Sequence, residues 1–180
     1  MTQIPIEITY GKMPTRGSKY AAAFDVYCPR DFEVSRERFV IPLGFHIALP
    51  MWWKANIRPR SGFSLNGMAA EVRTTYRTYQ GEEYVAREEV RIDADVKLGL
   101  VDCDYKDQVG VIIRVNKMDA CARQRHDFDI LVENHLYITA GTRIAQMEIC
   151  GDDPEVELVA VKGINRDTDR GGGFGHTGVR

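Results

Sequence analysis

An all-β fold, an antiparallel sandwich, barrel or jelly roll, is what this chain predicts, and three observations predict it. Short segments rich in β-branched and aromatic residues recur along the chain, several with period-two alternation. Glycine and proline punctuate them at short intervals. Helical periodicity is nearly absent, which argues against alternating βα units.

The expected strands, in order, cover residues 4–10, 24–28, 39–49, 52–57, 109–115, 143–150 and 155–161. The first, IPIEITY, alternates isoleucine with proline, glutamate and threonine. Residues 24–28 and 109–115 are likewise rich in β-branched or aromatic residues. Residues 82–90, EEYVAREEV, are compatible with a short helix and equally with a strand. Two stretches look inserted into this pattern. Residues 67–95 carry the alternating run TTYRTY and a Gln-Gly turn signal, which predicts a projecting hairpin with a charged return arm. Residues 117–135 read as charged and irregular. From residue 165 onward hydrophobic density collapses, leaving a flexible glycine-rich arm, residues 165–180, after a β domain of residues 1–164.

With 180 residues and 44% hydrophobic composition, one domain with a sizeable core is expected. The 24 basic and 26 acidic residues leave a net charge of −2, so no global field recruits nucleic acid or an anionic membrane. No apolar run reaches the length of a membrane span, and the first residues lack the pattern of a signal peptide. A cytoplasmic location is the expectation, that of the host if the origin is viral. Cys28, Cys103, Cys121 and Cys150 form no CxxC pair and have no histidine at metal-ligand spacing, so reduced thiols are expected.

Four stretches could carry chemistry. IRPRSG (57–62) offers a guanidinium, a hydroxyl and backbone N–H groups together, suited to phosphate oxygens or equally to an ordinary turn. In GLVDCDYKDQVGVIIRVN (99–116), Leu100 and Val101 drive a strand inward and leave Asp102 at its end. A carboxylate there can orient and deprotonate water, or can satisfy its own turn. In GTRIAQMEI (141–149), Gln146 is a polar amide in an apolar strand and must find partners. The tail RGGGFGHTG (170–178) interleaves a cation, a ring and hydroxyl donors with glycines. It is not a P-loop, which needs GxxxxGK[ST] between strand and helix.

Taken in chain order, AAAFDVY (21–27), RPRSG (58–62), GLVDCDY (99–105), GTRIAQM (141–147) and RGGGFGHTG (170–178) resemble the five ordered motifs of the trimeric dUTPases. VIPLGFHIALPMWWKANI (40–57) is similar to that family's strands between its first and second motifs. The resemblance implies a jelly-roll, distorted-barrel subunit that forms a homotrimer with active sites shared between subunits. It implies hydrolysis of dUTP to dUMP and pyrophosphate with Mg²⁺, which limits uracil incorporation into DNA and supplies dUMP. Asp102 matches the aspartate that activates water, and Tyr105 the tyrosine that packs on deoxyribose and excludes a 2′-hydroxyl. Arg60, Ser61, Gly62 and Gln146 match phosphate contacts. Asp25 matches a carboxylate that acts on the metal through water. In the tail, Phe174 matches the ring that stacks on uracil and Arg170 the guanidinium at the terminal phosphate, with Gly175, His176 and Thr177 along the triphosphate. Residues 97–105, including Gly99, are the expected base-reading hairpin.

This sequence departs from the family pattern in places. Ala23 stands for a usual glycine, Val96 for a frequent amide, and the tail is one residue short between Arg170 and Phe174, which leaves Arg166 as an alternative to Arg170. The two insertions resemble the elaborated loops of some phage enzymes. A dCTP deaminase shares the fold but places a glutamate in the strand where residues 109–116 hold no carboxylate. A regulatory protein that binds a partner through the inserted loops is the alternative from another class.

Overall fold

The computed structural model describes residues 1–35, 37–117 and 129–173. Three β-sheets enclose one core. Strand β1 (Thr2–Ile8) lies between β14 (Val156–Val161), its parallel neighbour, and β6 (Phe45–Ile47). A second sheet runs β10 (Gly99–Asp102), β7 (Lys54–Arg58), β13 (Arg143–Cys150), β3 (Phe24–Tyr27), β2 (Thr15–Arg16), all antiparallel. The third runs β4 (Phe32–Glu33), β12 (Ile130–Ile138), β8 (Met68–Arg77), β9 (Glu83–Val96), β11 (Gly110–Lys117), β5 (Phe39–Pro42). Among the described residues the one helix is α1 (Ser61–Asn66). The expected all-β jelly-roll class is the observed one. Ile4 and Phe45 from the first sheet, Ile57, Ile144 and Met147 from the second, and Ile41, Met68 and Ile113 from the third meet in a common interior, each 2% exposed or less. Burial of these side chains is the main force holding the sheets together.

Several expectations are corrected. The span 39–49 is not one strand: it breaks between β5 and β6, which join different sheets. The cause is Gly44, whose φ of 72° and 2.4 Å approach of a notional Cβ to the Gly11 amide nitrogen exclude any side chain. Of residues 82–90, compatible with either helix or strand, residues 83–90 are strand. The reason is visible in β9, where side chains alternate outward and inward until Ile92, Ala94 and Val96 enter the core. Residues 130–135 of the second insertion belong to β12, with a register shift between Leu131 and Glu133; Lys117 ends β11, and residues 118–128 lie outside the description.

The 67–95 stretch does form the expected hairpin. β8 and β9 pair from Met68↔Ile92 to Arg77↔Glu83, and the turn closes through Gly81 at φ 89°. It is not an isolated projection, because β12 and β11 flank it and its base is buried. The outer strand is tied by His135, whose Nδ1 lies 2.6 Å from Glu33 Oε1 and whose Nε2 lies 3.4 Å from Glu133 Oε2. Arg73 supports the same corner, bonded to Glu71 and Asp31 with its guanidinium over the Tyr137 ring. The Glu33 carboxylate, with Glu133, raises the His135 pKa above its ordinary value. A raised folded-state pKa stabilises the fold below the unfolded value near pH 6.5, and that contribution is lost as pH rises through the folded value. His135→Gln is therefore expected to shrink the difference in melting temperature between pH 6 and pH 8. A difference equal to that of the parent protein would refute the ion pair.

Candidate active site

Strand β3 carries Asp25 into the interior, where it is 4% exposed. A buried carboxylate must be paired. Arg60 Nε donates to its Oδ1 at 2.9 Å, Gln146 Nε2 to the same oxygen at 3.3 Å, and Arg143 reaches Oδ2 at 3.4 Å. Gln146 stands directly opposite Asp25 in the sheet. Arg143, three positions earlier, would face the other way in a regular strand. A bulge between Arg143 and Ala145 turns both toward Asp25. Arg60 occupies the N-cap of α1 in extended conformation, and no side chain caps the helix. The first-turn amides at Ser61 and Gly62 are thus presented to an outside acceptor beside two guanidinium groups.

The second group lies at the far edge of the same sheet. In β10, Gly99 pairs with Ile57 and Asp102 with Lys54. The chain then turns tightly: Tyr105 N donates to Asp102 O at 3.1 Å, and the buried Lys106 places Nζ 2.5 Å from Cys103 O. His46 Nδ1 donates to Lys106 O at 2.9 Å. Tyr105 is 7% exposed, its O–H donates to Gln108 O at 2.8 Å, and burial raises its pKa, keeping the phenol neutral. Its ring walls a pocket of about 260 Å³ with Gly99, Leu100, Val101, Lys97 and Arg170.

The tail enters here. Arg170 donates to Asp102 Oδ2 at 2.8 Å and lies 3.6 Å from Asp104 Oδ1, a buried oxygen with no hydrogen bond. Gly173 lies on the Tyr105 ring, where a Cβ would stand 2.7 Å from a ring carbon. Arg166 is held elsewhere, by Glu7 Oε2 at 2.8 Å; Glu7 also accepts the Ile164 amide at 3.2 Å. These bonds, the Ile164 amide first, lower the Glu7 pKa.

The structure therefore sorts the expected residues into two clusters. Asp25, Arg60, Ser61, Gly62 and Gln146 form one; Gly99, Asp102, Tyr105 and Arg170 form the other. Phe174, Gly175, His176 and Thr177 lie outside the described residues. Asp102 is level with Lys54 and Gln146 with Arg58, on opposite sides of β7. The length of β7 and two strand spacings put their Cα atoms about 16 Å apart. Sequence reasoning missed Arg143, whose role depends on the bulge, and α1, too short to show a period. It also missed Lys106 and His46, which brace the turn after Asp102.

A family model described as dUTPase matches residues 9–86. The deoxyuridine 5′-triphosphate nucleotidohydrolase of Syntrophotalea carbinolica is 31% identical over 170 residues, spanning 92% of this chain and 88% of that protein. The chain belongs to the dUTPase family. A dUTPase family member from Variola virus is 30% identical over 97% of this chain and 90% of its own length. Among solved structures, a variant of the dUTPase of Staphylococcus bacteriophage 80alpha, with dUpNHpp, matches with a TM-score of 0.57 at 20% identity, over 98% of each chain. A mutant of the dUTPase of phage phi11 of S. aureus, described for its coordination of a structural Mg(II) ion, matches with a TM-score of 0.57 at 17% identity, over 87% of this chain and 95% of that one. These structural likenesses are to the family's fold.

Proposed function

We infer that the protein hydrolyses dUTP to dUMP and pyrophosphate, as its dUTPase family relatives at about 30% identity are named for doing. The observation that carries the reading is Asp102 at the open end of β10, beside a pocket walled by Tyr105 and the backbone of residues 97–101. The base enters that pocket, where the closeness of the walls refuses the 5-methyl of thymine and backbone groups distinguish uracil from cytosine. The Tyr105 ring lies under the deoxyribose and leaves no room for a 2′-hydroxyl. Asp102 takes a proton from the water that attacks the innermost phosphorus. Arg60 and the amides of Ser61 and Gly62 hold the oxygens on which charge develops as pyrophosphate leaves. Gln146 fixes the orientation of the same group.

The donor set bears on the metal. Among the described residues no cluster of three or more His, Cys, Asp or Glu could hold an ion. Asp25 is engaged by Arg60, Gln146 and Arg143, which fits a carboxylate that meets Mg²⁺ through water. Mg²⁺ keeps several waters and takes its other ligands from phosphate oxygens, so it would arrive on the triphosphate. When bound it neutralises phosphate charge.

An attacking water and the phosphate it strikes must both lie within hydrogen-bond reach of their catalytic groups. With Cα atoms about 16 Å apart, Asp102 and Gln146 of one chain lie on opposite sides of β7 and do not converge on a single phosphorus. That distance supports active sites shared between copies of the chain, in the homotrimer that the resemblance implies. The tail brings Phe174 onto uracil and Arg170, Gly175, His176 and Thr177 along the phosphates.

The test is incubation with dUTP, dTTP, dCTP and UTP in the presence of Mg²⁺, with pyrophosphate and ammonia measured. Pyrophosphate is expected from dUTP alone. Ammonia from dCTP, or equal turnover of dTTP, overturns the reading. No helix among the described residues is long and apolar enough to cross a membrane.

A further inference from the structure

The inserted hairpin reaches the phosphate cluster. Beside Arg60 and Gly62 lies a cavity of about 360 Å³ between α1, β8 and β9, into which Arg91 and Arg143 also open. Among the described residues no acidic side chain lines it. Arg60 and Arg143 share the single carboxylate of Asp25. Arg91, near the base of the hairpin, adds a further charge. It pairs across the sheet with Ala69, so no carboxylate faces it there. Asp93, its neighbour on the same face of β9, accepts instead from Asn116 of β11 at 3.2 Å. Arg91 Nη1 donates to Gly67 O at 3.3 Å, which aims the guanidinium at the C-terminal end of α1. Gly67 is obligatory for that approach: its φ is 76°, and a Cβ would stand 2.7 Å from Ile92 O.

The cavity runs along α1 from Gly62 to Gly67 and brings the guanidinium groups of Arg60, Arg143 and Arg91 to its walls. Such an arrangement suits the oxygens of a polyphosphate. Arg170, the guanidinium that the family resemblance assigns to the terminal phosphate, lies instead on Asp102 and Asp104, in the other cluster.

We propose that Arg91, supplied by the inserted hairpin, binds the terminal phosphates of the nucleotide in the cavity beside Arg60 and Gly62. The proposal rests on the dUTP reading and adds a substrate-binding residue to it. Arg91 acts on the phosphates beyond the first, so its contribution is absent from dUMP.

The experiment is calorimetric titration of the full chain with dUpNHpp and, separately, dUMP, both with Mg²⁺, in the parent, Arg91→Ala and Arg91→Lys. Arg91→Ala is expected to weaken dUpNHpp about tenfold, the scale of one charge-assisted contact, and to leave dUMP unchanged. Arg91→Lys restores part of the loss by keeping the charge. Because Arg91 is exposed, the variants should melt as the parent does. Unchanged dUpNHpp affinity in Arg91→Ala, or equal weakening of dUMP, overturns the role of Arg91 alone. A parent protein that binds neither nucleotide overturns the dUTP reading as well.

Discussion

Asp102→Asn is expected to remove pyrophosphate release from dUTP, with kcat falling by at least about 10²- to 10⁴-fold, the usual worth of a general base. The amide has the shape of the carboxylate and cannot take the proton. The side chain is at the end of an edge strand and is 37% exposed, so the substitution leaves the core intact. The change removes an ion pair with Arg170, and for a partly exposed pair that costs little stability. Affinity for dUpNHpp should accordingly persist while turnover disappears. A variant that still releases pyrophosphate at the parental rate would show that another group activates the water, and the assignment of the second cluster would fail with it.

Removing residues 169–180 is expected to lower kcat by about 100-fold or more, the scale of losing groups that close and position a substrate. The described part of the tail has few stabilising contacts: Arg170 on Asp102 and Asp104, and Gly173 on Tyr105. The truncated protein should therefore keep its melting temperature and its oligomeric state. Size-exclusion chromatography and thermal melting test that half of the expectation, and steady-state kinetics with dUTP the other. Full activity after truncation would remove the tail from the mechanism. In the intact protein Arg170 cannot both neutralise Asp102 and reach a phosphate, so it must leave the carboxylate before the water can be deprotonated.

Much of this was legible beforehand because local signals and tertiary demands agree. Alternation in residues 4–10 and glycine-proline punctuation both report strands that bury one face, and strands are what form. The ordered motifs also named the residues that gather round Asp25 and beside Tyr105. What escaped depends on geometry that no spacing encodes. Arg143 and Gln146 share a face only because a bulge shifts the register of β13. The break at Gly44 follows from the approach of Gly11, distant in sequence. EEYVAREEV is rich in good helix formers, yet its neighbours Ile92, Ala94 and Val96 must enter the core with period two, and burial overrides propensity. Arg91 was hidden for a related reason: its hairpin reads as an addition to the fold, whereas its base stands against α1.

Glu7 has a consequence for the end of the chain. By gripping both the Ile164 amide and Arg166, it gives the glycine-rich segment a fixed mooring. For Arg170, a described tail residue past that mooring, any encounter with the nucleotide is then set by effective concentration, not by diffusion of separate molecules. That concentration falls roughly as the −3/2 power of tether length once the span can be bridged, so its free-energy cost changes only logarithmically. A tail one residue short of the family pattern can therefore serve the same purpose, and a loosened mooring would matter more than a changed number of links.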